Sequence, residues 1–213
     1  MEANNYIPIL ARLATAYPKS NPCIGGSFAV NSLLPLRANT RNHSDVDIYL
    51  KVTVARHSFL KTLVEDIFPD IDIIFTTEYS SAPGDPRQYK MPHIIRRVGV
   101  SFPDKDVPNI DFILLNPLYV AGVPWFLMYN QASDISRCAL EYVAGQDYLE
   151  KVQNPLFTKL VKALTNNTKH SITLNVHPDS CTVEHRKKVL AFCKNNDIGV
   201  ITHNLDPYSQ DLN

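Results

Sequence analysis

Two aspartates alternate with apolar residues at Asp45-Val46-Asp47-Ile48, and this alternation constrains the fold more than any other feature of the chain. Because successive side chains of a strand point to opposite faces, Asp45 and Asp47 would share one face, about 6.6 Å apart along the strand. Val46 and Ile48 would then face an apolar core. Two carboxylates placed in this way can bind one divalent cation together or bridge two. The segment therefore predicts a strand with one core face and one metal-binding face.

A glycine-rich turn precedes this strand at Gly25-Gly26-Ser27, and the segment Phe28–Leu34 is predicted to follow it as a short helix. Glycines allow main-chain N–H groups to approach a ligand closely. The N-terminus of a helix also favours an anion such as a phosphate. A phosphate cradle beside two metal-binding carboxylates is typical of proteins that handle a nucleoside triphosphate.

These residues resemble the polymerase-β-type nucleotidyltransferases, whose mark is a Gly-Ser turn on a helix followed by Asp-x-Asp on the next strand. Gly26-Ser27 and Asp45-Val46-Asp47 match that mark, and seventeen residues separate Ser27 from Asp45, a longer spacer than is usual in the family. The resemblance implies an α/β (α+β) fold, in which helices flank a mixed β-sheet, with a small C-terminal α/β extension. It also implies that Gly25, Gly26 and Ser27 bind the β- and γ-phosphates.

The family places a third carboxylate on a later strand beside the first pair, and two residues are candidates for it. Asp72 and Asp111 are each isolated acids within apolar segments. An unpaired buried charge costs several kcal/mol, so each is expected to have a partner. We favour Asp111, because a strand of a predicted hairpin carries it, as in the family, and Asp72 stays the alternative.

The resemblance implies a metal-dependent enzyme that transfers a nucleoside monophosphate from a nucleoside triphosphate (NTP) to a hydroxyl and releases pyrophosphate. Asp45 and Asp47 would hold two Mg²⁺ or Mn²⁺ ions, and Asp111 would hold the ion that activates the acceptor. The acceptor is left open among a protein hydroxyl, a small molecule and an RNA end.

Two other functions stay open. The long spacer and the absence of net charge are compatible with a catalytically inactive module of the same fold, which would bind nucleotides in a regulatory role. An Asp-x-Asp glycosyltransferase that uses a nucleotide sugar is the other alternative, although the Gly-Gly-Ser turn does not support it.

The charge balance and the cysteine content of the chain limit which binding partners and which cellular location we expect. Twenty-one basic and twenty-one acidic residues cancel, so no global field draws the chain to nucleic acid or to an anionic membrane. The sharpest basic cluster is His185-Arg186-Lys187-Lys188, which we expect on the exposed face of a helix. The four cysteines are scattered without a C-x-x-C pair, which favours a reducing, cytoplasmic location.

No membrane association is predicted. The nearest approach to a membrane span is Phe112–Tyr129, but Pro117 and Pro124 interrupt it. The N-terminus lacks the pattern of a signal peptide. The sequence does not indicate an oligomeric state.

Hydrophobic periodicity predicts alternating helices and strands along the chain. The predicted helices are Tyr6–Ala16, Phe28–Leu34, a segment from Leu60 to Ile67, a helix capped by Ser133 or Asp134 that runs through Tyr142, Tyr148–Leu164 with a break at Asn154-Pro155, and Thr182–Asn195. The predicted strands are Asp45–Val54, Ile71–Thr76, Ile94–Phe102, Asn109–Leu115, Ser171–Val176 and Ile198–Thr202. Glu78–Pro92 is predicted to be a loop, and Pro117–Asn130 is predicted to cover an edge of the core. We expect residues 1–145 to form the catalytic core and residues 146–213 to form the extension packed on it, with one continuous domain as the alternative.

Overall fold

A computed structural model describes residues 2–35, 38, 45–73, 75–80, 94–104, 106–117, 133–136, 138–175 and 183–203. The α-helices in these ranges are α1 (Ile7–Ala16), α2 (Gly26–Leu33), α3 (His57–Ile67), α4 (Pro155–Asn166) and α5 (Val183–Asn195). The strands are β1 (Cys23–Gly25), β2 (Asp45–Leu50), β3 (Phe75–Ser80), β4 (Ile94–Ser101), β5 (Asn109–Leu115), β6 (Cys138–Tyr142), β7 (Leu149–Gln153), β8 (Ser171–Asn175) and β9 (Gly199–His203). Two short 3₁₀-helices span Ala3–Tyr6 and Asp134–Ser136.

Seven of the strands form one mixed sheet in the order β3-β4-β5-β2-β1-β6-β7. β2 and β5 run parallel at its centre, and the other neighbouring strands are antiparallel. The predicted fold class, a mixed sheet flanked by helices, is therefore confirmed.

The main hydrophobic core lies on one face of this sheet. Apolar residues of the two central strands alternate into it, and all of them are fully buried: Val46, Ile48, Leu50, Ile110, Phe112 and Leu114. The apolar faces of α1, α2 and α3 join the same cluster. Asp45, Asp47 and Asp111 occupy the intervening positions, so their side chains lie on the opposite face of the sheet.

Two segments that were predicted to be helical are strands, and the predictions for Cys138–Tyr142 and for the first part of Tyr148–Leu164 are wrong. Residues Cys138–Tyr142 form β6, which pairs with β1, and Leu149–Gln153 form β7 at the edge of the sheet. The compositions of both segments are compatible with a helix. Pairing with the existing sheet buries Cys138, Ala139 and Leu140 on the inner strand, and this tertiary gain outweighs local propensity.

Asn154-Pro155 begins a helix and does not break one. The Leu156 N–H donates to the Asn154 Oδ1 at 2.8 Å, which is the bond of an N-cap. Pro155 occupies the first turn, where a missing N–H costs nothing and the fixed φ of proline suits the helix. The helix ends at Asn167, which adopts a left-handed conformation at φ 57°.

The strand predicted at Ile71–Thr76 begins later than expected, at Phe75. Ile71, Asp72 and Ile73 lie outside any strand, and Asp72 is exposed. β3 then continues to Ser80, so the first three residues of the predicted loop, 78–80, belong to a strand. The rest of that loop, most of Pro117–Asn130 and the chain from residue 204 lie outside the described residues.

The last described segment is a β-α-β unit. β8 and β9 pair in parallel and α5 connects them, as the predicted extension requires. The predicted domain boundary falls in the turn between β6 and β7, two strands of the same sheet, and the division remains a prediction. The basic cluster is not wholly exposed as expected: Lys187 and Lys188 are exposed, but Arg186 is buried.

Among the described helices, none has both the length and the apolar character that crossing a membrane would require.

Candidate active site

Three carboxylates meet at the centre of the sheet. β2 and β5 are parallel and in register, with Asp47 directly beside Asp111. Asp45 lies two residues before Asp47 and therefore on the same face. Oxygen atoms of Asp45, Asp47 and Asp111 all lie within 4.8 Å of one another. The structure thus brings together the three acids that the sequence singled out and leaves Asp72 outside the cluster.

The glycine turn lies against this cluster. β1 places Gly25 beside Asp47 on the other side of β2, and α2 starts at the next residue, Gly26. Gly26 has φ +64°, a conformation that favours glycine. A Cβ atom added there would lie 1.9 Å from Asp47 Oδ2. Only glycine lets the start of α2 approach the carboxylate so closely.

Gly25 is required for a different reason. A Cβ atom at Gly25 would lie 2.6 Å from Cε2 of Tyr49, so the ring occupies the space that a side chain would need. Tyr49 follows Asp45 and Asp47 at the same strand spacing and lies on the same face of β2. The neighbouring Ser27 is half-buried in the first turn of α2.

The cluster is electrostatically crowded. The pKa of Asp47 is raised to about 8, mainly by burial and then by the charges of Asp45 and Asp111, while the charge of Arg97 opposes the shift. Burial also raises the pKa of Asp111, against a hydrogen bond and a charge from Arg97. Neighbouring carboxylates resist being ionised at the same time, and a cation bound between them stabilises their ionised forms.

Arg97 is the residue that sequence analysis missed. Its Nη2 donates to Asp111 Oδ2 in an ion pair, in which Asp111 is almost fully buried. The available signal was the pair Arg96-Arg97 inside the otherwise apolar β4, next to the strand that carries Asp111. A charge in such a position usually has a partner of opposite sign.

The donor set suits a hard divalent cation. Mg²⁺ and Mn²⁺ prefer carboxylate oxygens, and Mg²⁺ binds through a few carboxylates together with substrate phosphates. Three carboxylates within 4.8 Å, with raised pKa values for Asp47 and Asp111, fit that requirement.

By sequence, no protein-family model matches the chain, and no curated protein matches it. Comparison by structure does find similar proteins. A CCA-adding enzyme in complex with ATP aligns with a TM-score of 0.50 and 12% identity, over 89% of this chain and 37% of that chain. A tRNA-processing enzyme in an apo form gives a TM-score of 0.50 and 12% identity, over 92% and 42%. A tRNA-processing enzyme complex gives 0.50 and 13%, over 90% and 43%.

These similarities show that the chain has a nucleotidyltransferase-like fold, as the sequence motif implied. The chain spans less than half the length of the structures it matches.

Proposed function

We propose that this protein is a metal-dependent nucleotidyltransferase, which transfers a nucleoside monophosphate from an NTP to a hydroxyl and releases pyrophosphate. The observation that carries the proposal is the convergence of Asp45, Asp47 and Asp111 on one face of the sheet, with the turn at Gly26 against Asp47. The nucleotidyltransferase-like fold supports it independently.

Each carboxylate of the cluster has its own metal-binding role in this proposal. Asp45 and Asp47 would hold two divalent cations, and Asp111 would hold the one on the acceptor side. Cations held by these carboxylates would supply a lower pKa for the acceptor hydroxyl and positive charge for the phosphates. The chain positions the substrate through main-chain N–H groups at Gly25 and Gly26.

Ser27 completes the phosphate site in this proposal. It lies in the first turn of α2, where N–H groups lack helical partners and the helix dipole favours an anion. The absence of side chains at Gly25 and Gly26 lets the Tyr49 ring and the Asp47 carboxylate pack against this turn, which brings the proposed phosphate site next to the carboxylate cluster.

The acceptor is proposed only by class: a protein hydroxyl, a small molecule or an RNA end. Because the similar structures are a CCA-adding enzyme and tRNA-processing enzymes, an RNA end is the acceptor to test first. A cytoplasmic location is part of the same proposal, supported by buried free thiols at Cys23, Cys138 and Cys193.

The test is transfer of label from NTPs with Mg²⁺ or Mn²⁺, in the presence of total RNA, a protein extract or small metabolites. Label at the α-phosphate should appear in one acceptor fraction, whereas label at the γ-phosphate should leave as pyrophosphate. Transfer of the γ-phosphate to the acceptor would instead indicate a kinase and contradict the proposal.

Matched variants locate the activity. Asp45→Asn, Asp47→Asn and Asp111→Asn should each abolish transfer and leave the circular dichroism spectrum unchanged. Asp72→Asn is the control, because Asp72 is exposed and lies outside the cluster. An NTP that binds with Mg²⁺ in calorimetry but is never turned over would instead identify an inactive nucleotide-binding module.

A further inference from the structure

The ion pair between Arg97 and Asp111 joins adjacent strands of the sheet. β4 and β5 are antiparallel, and Arg97 lies opposite Ile113, whereas Gly99 lies opposite Asp111. Residues 97 and 99 occupy the same face of β4, because they are two apart in a strand. Gly99 carries no side chain, so the Arg97 side chain can extend past it to Asp111.

The pair places a positive charge beside a carboxylate of the cluster. Asp111 Oδ2 accepts the bond from Arg97 Nη2. The Asp111 side chain is 4% exposed, so its carboxylate is buried. The Arg97 side chain is 26% exposed and therefore remains partly accessible to solvent. A buried carboxylate left without a cation is strongly destabilising.

A guanidinium and a divalent cation compete for such a carboxylate. Each supplies the positive charge that the buried oxygen requires, and two cations held at one carboxylate repel each other. The Arg97 side chain is long and partly exposed, so its guanidinium can move towards solvent once a divalent cation supplies the positive charge at Asp111.

We propose that Arg97 is a built-in counter-ion, which holds Asp111 in the metal-free protein and is displaced from it when a divalent cation binds. The inference rests on the proposed metal site. It makes Arg97 a positioning residue that keeps the cluster assembled before loading and sets its affinity for metal.

Metal affinity measured with Mn²⁺ alone tests the competition. Titration calorimetry of Arg97→Gln at low ionic strength should show a dissociation constant about tenfold smaller than that of the wild-type protein, since the competing charge is gone. Arg97→Lys keeps the charge and should stay near the wild-type value. Arg96→Gln is the matched control: the Arg96 Nη1 donates to the Ala55 carbonyl at 3.4 Å, away from the cluster.

A second measurement uses the unmodified protein and does not depend on the folding of a variant. An arginine-specific dicarbonyl reagent, mapped by mass spectrometry, should modify Arg97 faster when Mn²⁺ is present, because the guanidinium is then released. The rate at Arg96 should not change.

Unchanged or weaker Mn²⁺ binding by Arg97→Gln would overturn the inference, and so would protection of Arg97 by the metal. A purely structural role would lower the stability of Arg97→Gln without tightening Mn²⁺ binding. If Mn²⁺ binding tightens but no NTP is turned over, the counter-ion role stands and the proposed function fails. If transfer is observed and the affinity does not change, the inference alone fails.

Discussion

Replacing Asp47 by asparagine should stabilise the metal-free protein, although the same change should abolish its proposed activity. The substitution keeps the shape of the side chain and removes one negative charge from the cluster with Asp45 and Asp111. Active sites commonly hold such unfavourable charge because function requires it, and a neutral replacement then increases stability.

The size of the effect follows from the distances. Two unit charges 4.8 Å apart, the upper limit for the ligand oxygens here, repel each other by about 3.5 kcal/mol at an effective dielectric constant of about 20. Arg97 offsets part of this repulsion, and proton uptake by Asp47, whose pKa is raised to about 8, relieves another part. We therefore expect Asp47→Asn to raise the free energy of unfolding by about 1–3 kcal/mol at neutral pH.

Urea denaturation followed by circular dichroism, in EDTA at pH 7.5, measures this difference. Asp72→Asn should change stability by less than about 0.5 kcal/mol, since Asp72 is exposed and surface substitutions usually have small effects. With Mg²⁺ at about one hundred times its dissociation constant, the wild-type protein should gain about 2.7 kcal/mol and Asp47→Asn much less. An Asp47→Asn protein that is less stable than wild type in EDTA would refute the repulsion on which the expectation rests.

Three further predictions concern the same fold. Gly26→Ala and Gly145→Ala should each lower the free energy of unfolding by about 1–2 kcal/mol, because both glycines have left-handed conformations. Only Gly26→Ala should also lose Mn²⁺ binding, because its Cβ would lie 1.9 Å from Asp47 Oδ2. At Gly145, nothing lies within 4 Å of an added Cβ. Equal effects of the two substitutions on Mn²⁺ binding would contradict this. The folded protein keeps the proton of Asp47 at pH values at which the unfolded chain has lost it. The stability that this proton contributes is therefore fully present below about pH 4 and is lost as the pH rises to about 8. In EDTA, the stability gain of Asp47→Asn should accordingly grow between pH 5 and 8, and a constant gain would refute the assignment. Asn154→Ala should lower the free energy of unfolding by about 1 kcal/mol in urea denaturation, by removing the bond from the Leu156 N–H, and an unchanged midpoint would show that this cap contributes nothing.

The elements with a clear apolar pattern were predicted well from sequence. The helix at Tyr6–Ala16 is observed as Ile7–Ala16, and the strand at Asn109–Leu115 has the predicted bounds. Local pattern sufficed for the helix because one face is buried in the core, and for the strand because residues 110–115 are all buried, which requires a short apolar run. β6 and β7 lack such a pattern, and their pairing with β1 and with each other decided their conformation.

The candidate site divides in the same way. Alternation along one strand indicated that Asp45 and Asp47 share a face, because the period of a strand is a local property of the backbone. The sequence also indicated Asp111 and Asp72 as possible third acids, but it could not choose between them by local rules. The register between β2 and β5 distinguishes the two candidates, because it places Asp111 beside Asp47.

The sequence by itself therefore determined the chemical groups of this protein: a glycine turn, an acidic strand and an apolar strand with one further acid. Only the tertiary structure decided which of these groups meet, because strand order and register depend on contacts between residues far apart in the chain. Arg97 shows the difference most clearly. Its charge is visible in the sequence, but its role as the partner of Asp111 exists only once β4 and β5 lie side by side.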